Sequence, residues 1–215
     1  MVVVFDVDHT LTAANCTAAL ARAMAAAGLV PRSELLSLAV QQALYRVGWR
    51  AFPDLMARAY GLLVGKDVAQ VQACAERVVR DAIAPALYPD AVSRIAAHRA
   101  SGHRVVLASA APEIMVARVA RCVDVTDVIA TTYDRVGARF GGVITPAAHG
   151  EGKVELLRRA GLLLGDRPHV YTDHVADWPL VQASRFVTLV NPAPGFLRDV
   201  RRRGLAHEVV RWSRA

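Results

Sequence analysis

The segment VVVFDVDHTLT, residues 2–12, joins a short apolar run to two acidic residues. The run is rich in β-branched residues, which is typical of a strand buried on both faces of a parallel sheet. Because side chains alternate along a strand, Asp6 and Asp8 are expected to project to the same side. Two carboxylates this close indicate either a divalent metal site or a nucleophile beside an acid/base. A polar turn that caps the next helix is the alternative.

The composition is that of a globular chain. Its 215 residues suffice for one domain with an insertion or for two small domains. The hydrophobic fraction is 54% and the mean hydropathy is +0.28, but the most apolar stretch, Leu35–Tyr45, is shorter than the roughly 20 residues of a membrane-spanning helix. No secretory signal pattern is visible, so we expect a cytoplasmic protein without stable membrane insertion.

The charge and the cysteines indicate no particular partner. The net charge of +7 is compatible with nucleic acid, anionic lipid or small anions. The basic residues are almost all arginine and are spread along the chain, and the densest group, residues 198–203, is expected to be a solvated helix face. We therefore expect no nucleic-acid partner. Cys16, Cys74 and Cys122 lack metal-binding spacing and are expected to be reduced thiols.

Residues 13–85 have a helical pattern without a strand. The expected helices are Ala13–Ala27, Ser33 to near Gly48, Pro53 to near Gly65 and Asp67 to about Ile83, and a fifth helix runs from Pro89 to Gly102. An all-helical segment between the first and second strands is typical of a cap placed on a sheet. We therefore predict a helical cap at residues 13–85 and an α/β core at residues 1–12 and 86–215.

Strands and helices alternate after the cap. This rhythm predicts an α/β fold with a Rossmann-like parallel sheet, helices on both faces, and ligands bound beyond the carboxyl ends of the strands. The expected elements are strands at His103–Ala108, Val128–Thr132, His169–Thr172 and Phe186–Val190, helices at Pro112–Arg121, Lys153–Ala160 and Ala176–Ala183, and a hairpin at Tyr133–Thr145.

Such a sheet would gather polar groups from four places in the chain. Each is ordinary alone, since Ser109 and Asp173 could cap helices and Lys153 could be solvated. In order, the segments are DVDHT at residues 6–10, VVLAS at 105–109, GEGK at 150–153 and YTDHVADWPL at 171–180. This series resembles the signatures of the haloacid dehalogenase superfamily of phosphohydrolases. The helical cap after the first motif is similar to that of the subgroup containing phosphoserine phosphatase.

The resemblance implies a Mg²⁺-dependent phosphomonoester hydrolase that acts on a small phosphorylated metabolite. Asp6 would form an aspartyl phosphate, and Asp8 would act as general acid and base. Lys153 and Ser109 would stabilise the phosphoryl group. The implied residues are Asp6, Asp8, Ser109 and Lys153 for catalysis, Ser109, Ala110, Lys153 and Asn15 for substrate, Asp6, Asp8 and Asp173 for the metal, and Thr10 and Asp177 in support.

Two departures bear on the substrate. Asn15 stands where phosphoserine phosphatases usually carry a Glu, and Ser109 is followed by Ala110-Ala111 instead of Gly-Gly. A neutral amide does not pair with an ammonium group, so phosphoserine is disfavoured. The cap residues Trp49 and Arg50 are among the candidate substrate contacts. A phospholipid-headgroup phosphatase with peripheral membrane contact, a phosphotransferase and a non-catalytic phosphate sensor are the alternatives, and the oligomeric state is not predicted.

Overall fold

All strands in the described part of the chain belong to one sheet. The computed structural model describes residues 1–46, 58–145, 147–163 and 167–213. The strands are β1 (Val2–Phe5), β2 (Arg104–Pro112), β3 (Asp127–Val136), β4 (Arg139–Thr145), β5 (His169–Thr172), β6 (Phe186–Val190) and β7 (His207–Val210). Their order is β4-β3-β2-β1-β5-β6-β7.

The sheet is parallel except at one edge. Only the β3–β4 pair is antiparallel among the strands described, and it forms the hairpin expected for residues 133–145. Strand β1 lies between β2 and β5, with Phe5 opposite both Leu107 and Tyr171. The carboxyl ends of these three strands are therefore neighbours, as a parallel α/β sheet requires for a site at its edge.

Helices cover both faces of the sheet. They are α1 (Cys16–Ala26), α2 (Arg32–Arg46), α3 (Val68–Val78), α4 (Pro89–Ala100), α5 (Glu113–Cys122), α6 (Glu151–Arg159), α7 (Trp178–Ala183) and α8 (Pro194–Arg202), with a π-helical turn at Val79–Ile83 and 3-10 turns at Ala84–Ala86 and Val175–Asp177. No described helix is both long and apolar enough to cross a bilayer.

Alternation along β1 divides the core into two clusters. Val3 and Phe5 belong to the cluster that includes residues of α1, α3, α4 and α5, and Val4 belongs to the cluster that includes residues of α6, α7 and α8. Each of these three β1 side chains is fully buried. A strand buried on both faces explains the apolar run before Asp6. The predicted fold class is confirmed.

Helices of the predicted cap pack against the sheet. Leu20 of α1 and Val71 of α3 lie in the same apolar cluster as Phe5 and Leu107. The boundaries at residues 12/13 and 85/86 stay a prediction. Residues 58–61 are helical, but Gly48, Trp49, Arg50 and the predicted helix start at Pro53 lie outside the described residues.

Most predicted elements occur close to their expected bounds. His169–Thr172 and Phe186–Val190 are found as predicted. Strand β2 is longer than expected, because the chain continues to pair with β3 beyond Ser109 after a shift of register. Strand β7 was not predicted.

Candidate active site

The first acidic residue continues the ladder of β1. The backbone N–H of Asp6 donates to the carbonyl oxygen of Tyr171 at 3.0 Å, so Asp6 is fixed beside the end of β5. The chain then turns about the carbonyl oxygen of Val7, which accepts from the N–H of Thr10 at 3.3 Å. His9 has a left-handed φ of 61° within this turn. The turn brings the Thr10 side chain back toward Asp6.

Thr10 links the acidic ends of β1 and β5. Its hydroxyl lies 3.3 Å from Oδ2 of Asp6 and 3.1 Å from Oδ1 of Asp173. Burial raises the pKa of both carboxyl groups, and each is raised further by neighbouring carboxylates. The two acids therefore form a site whose ionised state is favoured by an added cation.

Lys153 supplies positive charge to the same place. It lies in the first turn of α6 and is 2% exposed. Its Nζ is 2.9 Å from Oδ1 of Asp6 and 2.6 Å from Oδ1 of Asp177. Burial alone would lower the pKa of Lys153, but the carboxylates of Asp177 and Asp6 raise it above its ordinary value. The ammonium group is therefore held in its charged form.

Asp177 is itself fixed from the sheet. The hydroxyl of Thr172, at the end of β5, donates to Oδ2 of Asp177 at 2.8 Å. Both oxygens of this buried carboxylate are thus occupied, one by Lys153 and one by Thr172. Nδ1 of His174 accepts from the N–H of Ala176, which fixes the turn that carries Asp177.

Asp8 faces the start of α1. Its Oδ1 accepts from the backbone N–H of Cys16 at 2.9 Å. Burial raises the pKa of Asp8, and the hydrogen bonds from Cys16 partly offset this rise. Asn15 caps the same helix, because its Oδ1 accepts from the N–H of Ala18 at 2.8 Å. The part that Asn15 plays toward substrate stays a prediction.

Strand β2 ends in a bulged segment, Ser109–Pro112, which we call the Ser109 loop. The register with β3 shifts between Ser109 and Pro112, and Oγ of Ser109 accepts from the N–H of Ala111 at 3.1 Å. The carbonyl oxygen of Ala110 accepts from the hydroxyls of Thr131 at 2.8 Å and Tyr60 at 3.0 Å. This loop is therefore held from both the sheet and the cap.

Five of the predicted site residues form one hydrogen-bonded network, and the other four lie near it. Asp6, Thr10, Lys153, Asp173 and Asp177 are joined by hydrogen bonds and ion pairs. Ser109 and Ala110 lie at the end of the adjacent strand, and Asp8 and Asn15 lie at the start of α1.

Sequence reasoning missed Thr131 and Thr172. Both are fully buried and both hold site groups through their hydroxyls. Threonine is common in strands for its β-branched shape, so its type gave no signal of this role. Only the position of Thr172 directly before Asp173 could have drawn attention to it.

The donors present fit a magnesium ion. No group of three His, Cys, Asp or Glu side chains with metal-binding geometry occurs in the described ranges. Mg²⁺, however, is usually held by one or two carboxylates and completed by water and substrate phosphate. Asp6 and Asp173, both within reach of one Thr10 hydroxyl, provide such a pair of hard oxygen ligands.

Several proteins are similar to this chain in sequence. A probable phosphatase of Mycobacterium tuberculosis is 29% identical over 207 residues, which cover 93% of this chain and 72% of that protein. A phosphoserine phosphatase of the same species is 28% identical over 213 residues, covering 95% of this chain and 67% of its own.

Solved structures have the same fold. A protein of unknown function from Bordetella pertussis superposes with a TM-score of 0.84 at 27% identity, covering 96% of this chain and 97% of its own. A substrate-bound phosphoserine phosphatase superposes with a TM-score of 0.64 at 15% identity, covering 94% and 97%. The family model for haloacid dehalogenase-like hydrolases matches residues 3–182, so the chain belongs to that family and the prediction of a hydrolytic enzyme of this superfamily is confirmed.

Proposed function

We propose that this hydrolase is a Mg²⁺-dependent phosphomonoesterase that cleaves a small phosphorylated metabolite through an aspartyl phosphate on Asp6. The contact of Lys153 Nζ with Asp6 Oδ1 at 2.9 Å carries the proposal. It puts a buried positive charge against the carboxylate that would attack phosphorus. The names of two relatives, a probable phosphatase and a phosphoserine phosphatase, support the same reaction class.

Asp6 is the proposed nucleophile. One of its oxygens contacts Lys153 and the other contacts Thr10, so the carboxylate has a fixed orientation at the end of β1. Attack on phosphorus would form an acyl phosphate and expel the alkoxide, which splits one difficult displacement into two steps. Water would then attack the phosphorus of the acyl phosphate and return the Asp6 carboxylate.

Asp8 is the proposed general acid and base. Its pKa is raised by burial, which favours the protonated form needed to donate a proton to the leaving alkoxide. The ionised form left behind would take a proton from the attacking water in the second step. The Cys16 N–H holds one carboxyl oxygen and so restricts the direction in which Asp8 can act.

Lys153 and Ser109 are the proposed phosphate contacts. Phosphoryl transfer is mainly a matter of positioning and charge stabilisation, so a fixed cation and a hydroxyl donor suffice on the protein side. Asp177 and Thr172 would keep Lys153 in place while its contact with Asp6 is exchanged for phosphate. A single donor such as Ser109 is worth about 3 kcal/mol of barrier.

The carboxylates of Asp6 and Asp173 and the backbone carbonyl of Asp8 are the proposed Mg²⁺ ligands. When bound, the ion supplies Lewis-acid charge that lets an anionic phosphate approach the ionised Asp6. The raised pKa of both carboxyl groups supports an arrangement completed by a cation.

The proposed substrate is small, and phosphoserine is disfavoured. Asn15, in place of an acidic partner, offers no charge to a substrate ammonium group, and its Oδ1 already caps α1. We therefore propose a phosphate monoester whose leaving group carries no ammonium group near Asn15. We expect phosphoserine to be hydrolysed with a kcat/KM well below that of the preferred ester.

Hydrolysis of an aryl phosphate with Mg²⁺ or with EDTA tests the proposal directly. Asp6→Asn should abolish the Mg²⁺-dependent activity, and the matched control Asp81→Asn, which changes an exposed acid paired with Arg80, should retain it. Equal rates with Mg²⁺ and EDTA, or full turnover by Asp6→Asn, would overturn the proposal. A panel of phosphorylated metabolites, including lipid headgroup phosphates and alcohol acceptors, would then rank substrates and detect phosphotransfer.

A further inference from the structure

The chain segments that enter and leave the predicted cap meet at one buried hydroxyl. Thr12 is fully buried, and its Oγ1 donates to the carbonyl oxygen of Ala86 at 3.1 Å. The same carbonyl accepts from the backbone N–H of Ala13 at 2.9 Å. Thr12 also pairs with Leu87 in an isolated antiparallel bridge. The two segments are therefore joined side by side where the cap meets the core.

The helical end of the cap needs partners of this kind. Helix α3 passes into the π-helical turn Val79–Ile83 and then into the 3-10 turn Ala84–Ala86. The last carbonyl groups of a helix have no partner within it and are satisfied from outside. The hydroxyl of Thr12 contacts two of them, that of Ala86 and, at 3.5 Å, that of Ile83. It thus completes the point at which the chain returns from the cap.

The same residue contacts the surroundings of the proposed general acid. Oγ1 of Thr12 accepts from the N–H of Ala14 at 3.2 Å. The N–H of Thr12 donates to the carbonyl oxygen of Val7 at 3.1 Å, and Thr12 pairs with Asp8 in a parallel bridge. Ala14 lies two residues before Cys16, whose N–H donates to Oδ1 of Asp8 at 2.9 Å. Thr12 therefore contacts both the turn that carries Asp8 and the segment whose N–H holds the Asp8 carboxyl group.

We infer that Thr12 is a positioning residue for Asp8. Its hydroxyl holds residues 13–16 against the segment that leaves the cap, and these residues direct the Asp8 carboxyl group toward the leaving oxygen. The inference rests on the proposed function, in which Asp8 gives a proton to that oxygen. Thr12 itself has no exposed surface and therefore does not contact substrate.

The proposed nucleophile is held by other contacts. The N–H of Asp6 donates to the carbonyl oxygen of Tyr171 at 3.0 Å, and its carboxylate contacts Nζ of Lys153 at 2.9 Å. Neither contact involves Thr12. Loss of the Thr12 hydroxyl is therefore expected to impair proton donation by Asp8 and to preserve the attack by Asp6, whereas a merely structural role would impair both.

The leaving group of the substrate separates these two results. Phenyl phosphate releases a more basic oxyanion than 4-nitrophenyl phosphate, so its cleavage depends more on a general acid. We expect Thr12→Val, which keeps the shape of the side chain, to lower kcat/KM about tenfold for phenyl phosphate and less than about twofold for 4-nitrophenyl phosphate. Thr12→Ser keeps the hydroxyl and should retain most of the activity toward both esters.

Two reference variants distinguish failure of the inference from failure of the proposed function. Asp8→Asn should show the same dependence on the leaving group more strongly. Thr188→Val removes another fully buried hydroxyl, which lies 2.9 Å from Nε2 of His169, and should show no such dependence. An Asp8→Asn variant without this dependence would end the proposed acid role and the inference with it. A dependence in Asp8→Asn but not in Thr12→Val would end the inference alone.

Amide hydrogen exchange provides a readout that needs no activity. The N–H of Cys16 should exchange at least about fivefold faster in Thr12→Val than in the unmodified protein, and at an unchanged rate in Thr188→Val, at a temperature where circular dichroism shows the variants to be folded. If Thr12→Val does not fold, Thr12→Cys replaces it, since a thiol is a weaker hydrogen-bonding group, and the same differences are expected on a smaller scale. Unchanged exchange at Cys16, or an equal loss of activity in Thr12→Ser and Thr12→Val, would contradict the inference.

Discussion

The hydroxyl of Tyr60 donates a hydrogen bond to the carbonyl oxygen of Ala110 at 3.0 Å, so a residue of the predicted cap holds the loop that follows Ser109. The same carbonyl accepts from Thr131 at 2.8 Å. Two donors on one carbonyl restrict the peptide group that links Ala110 to Ala111, and the N–H of Ala111 contacts Oγ of Ser109. The cap thereby acts on the proposed phosphate-binding hydroxyl through two successive hydrogen bonds.

Tyr60→Phe tests whether this contact positions Ser109. The variant keeps the ring and the hydrogen bond from Thr131 to the carbonyl oxygen of Ala110. We expect kcat/KM for an aryl phosphate to fall about fivefold to tenfold, corresponding to a hydrogen bond of about 1 kcal/mol. The melting temperature should change little. Steady-state kinetics give the separate changes in kcat and KM, and Tyr88→Phe is the control. Kinetic constants equal to those of the unmodified enzyme would remove Tyr60 from the positioning of the loop.

Lys153→Met should affect stability as well as activity. The substitution leaves the buried carboxylates of Asp6 and Asp177 without their shared cation, and breaking a buried ion pair on one side costs about 3 to 5 kcal/mol. We expect the free energy of unfolding in urea to fall by about this amount at neutral pH. Lys66→Met, which changes the other lysine of the chain, is the control.

A double variant separates the two roles of Lys153. Lys153→Met with Asp177→Asn removes one of the unpaired carboxylates and should recover part of the lost stability, whereas activity should stay absent. Recovery of activity in the double variant would contradict the proposed contact of Lys153 with phosphate. A double variant as unstable as Lys153→Met would mean that the unpaired carboxylate of Asp177 is not the cause of the lost stability.

Asn15 allows helix capping to be distinguished from substrate contact. Asn15→Ala removes the acceptor for the Ala18 N–H and should lower the free energy of unfolding by about 1 kcal/mol, whereas Asn15→Ser should retain most of the stability. Because the serine variant keeps the cap, a higher KM in that variant would measure a substrate contact alone. An unchanged KM for the preferred ester would limit Asn15 to the cap.

The sequence predicted the parts of the site that depend on strand register. Asp6, Ser109 and Asp173 each follow an apolar run, and parallel strands bring the ends of such runs to one edge of the sheet. The strand at Phe186–Val190 was predicted with its observed bounds because it is an apolar run that ends at the turn residues Asn191-Pro192. Four of its five side chains are buried, as such a run requires.

Elements without such a pattern were not predicted. Strand β7, His207–Val210, is a short edge strand whose residues are all partly exposed, so it shows no alternation. The contacts of Tyr60 with Ala110 and of Thr131 with the same carbonyl join residues that are distant in the chain. No local pattern encodes such contacts, and only the packed structure reveals them.

Two buried aromatic residues and two half-buried histidines pack together near the end of β1. Tyr171 stacks on Phe5 with ring centroids 3.9 Å apart, and its hydroxyl is 2.8 Å from Nε2 of His98. The ring of His169 also stacks on Tyr171, and Nε2 of His169 is 2.9 Å from the hydroxyl of Thr188. Burial lowers the pKa of His98, and burial lowers the pKa of His169 to about 4. Both rings are therefore expected to be neutral at physiological pH.

His169 should make the folded protein sensitive to acid. Because its pKa is lower in the folded state than in the unfolded chain, its contribution to stability is complete above about pH 6.5 and is lost as the pH falls toward 4. At pH 5 we expect a loss of about 1 to 2 kcal/mol, allowing for partial solvent exposure of the ring. Urea unfolding at pH 7 and pH 5 measures this loss of stability. His169→Gln keeps a partner for Thr188 without a titrating ring and should reduce the difference in stability between the two pH values. An equal difference in His169→Gln and the unmodified protein would assign the acid sensitivity to other groups.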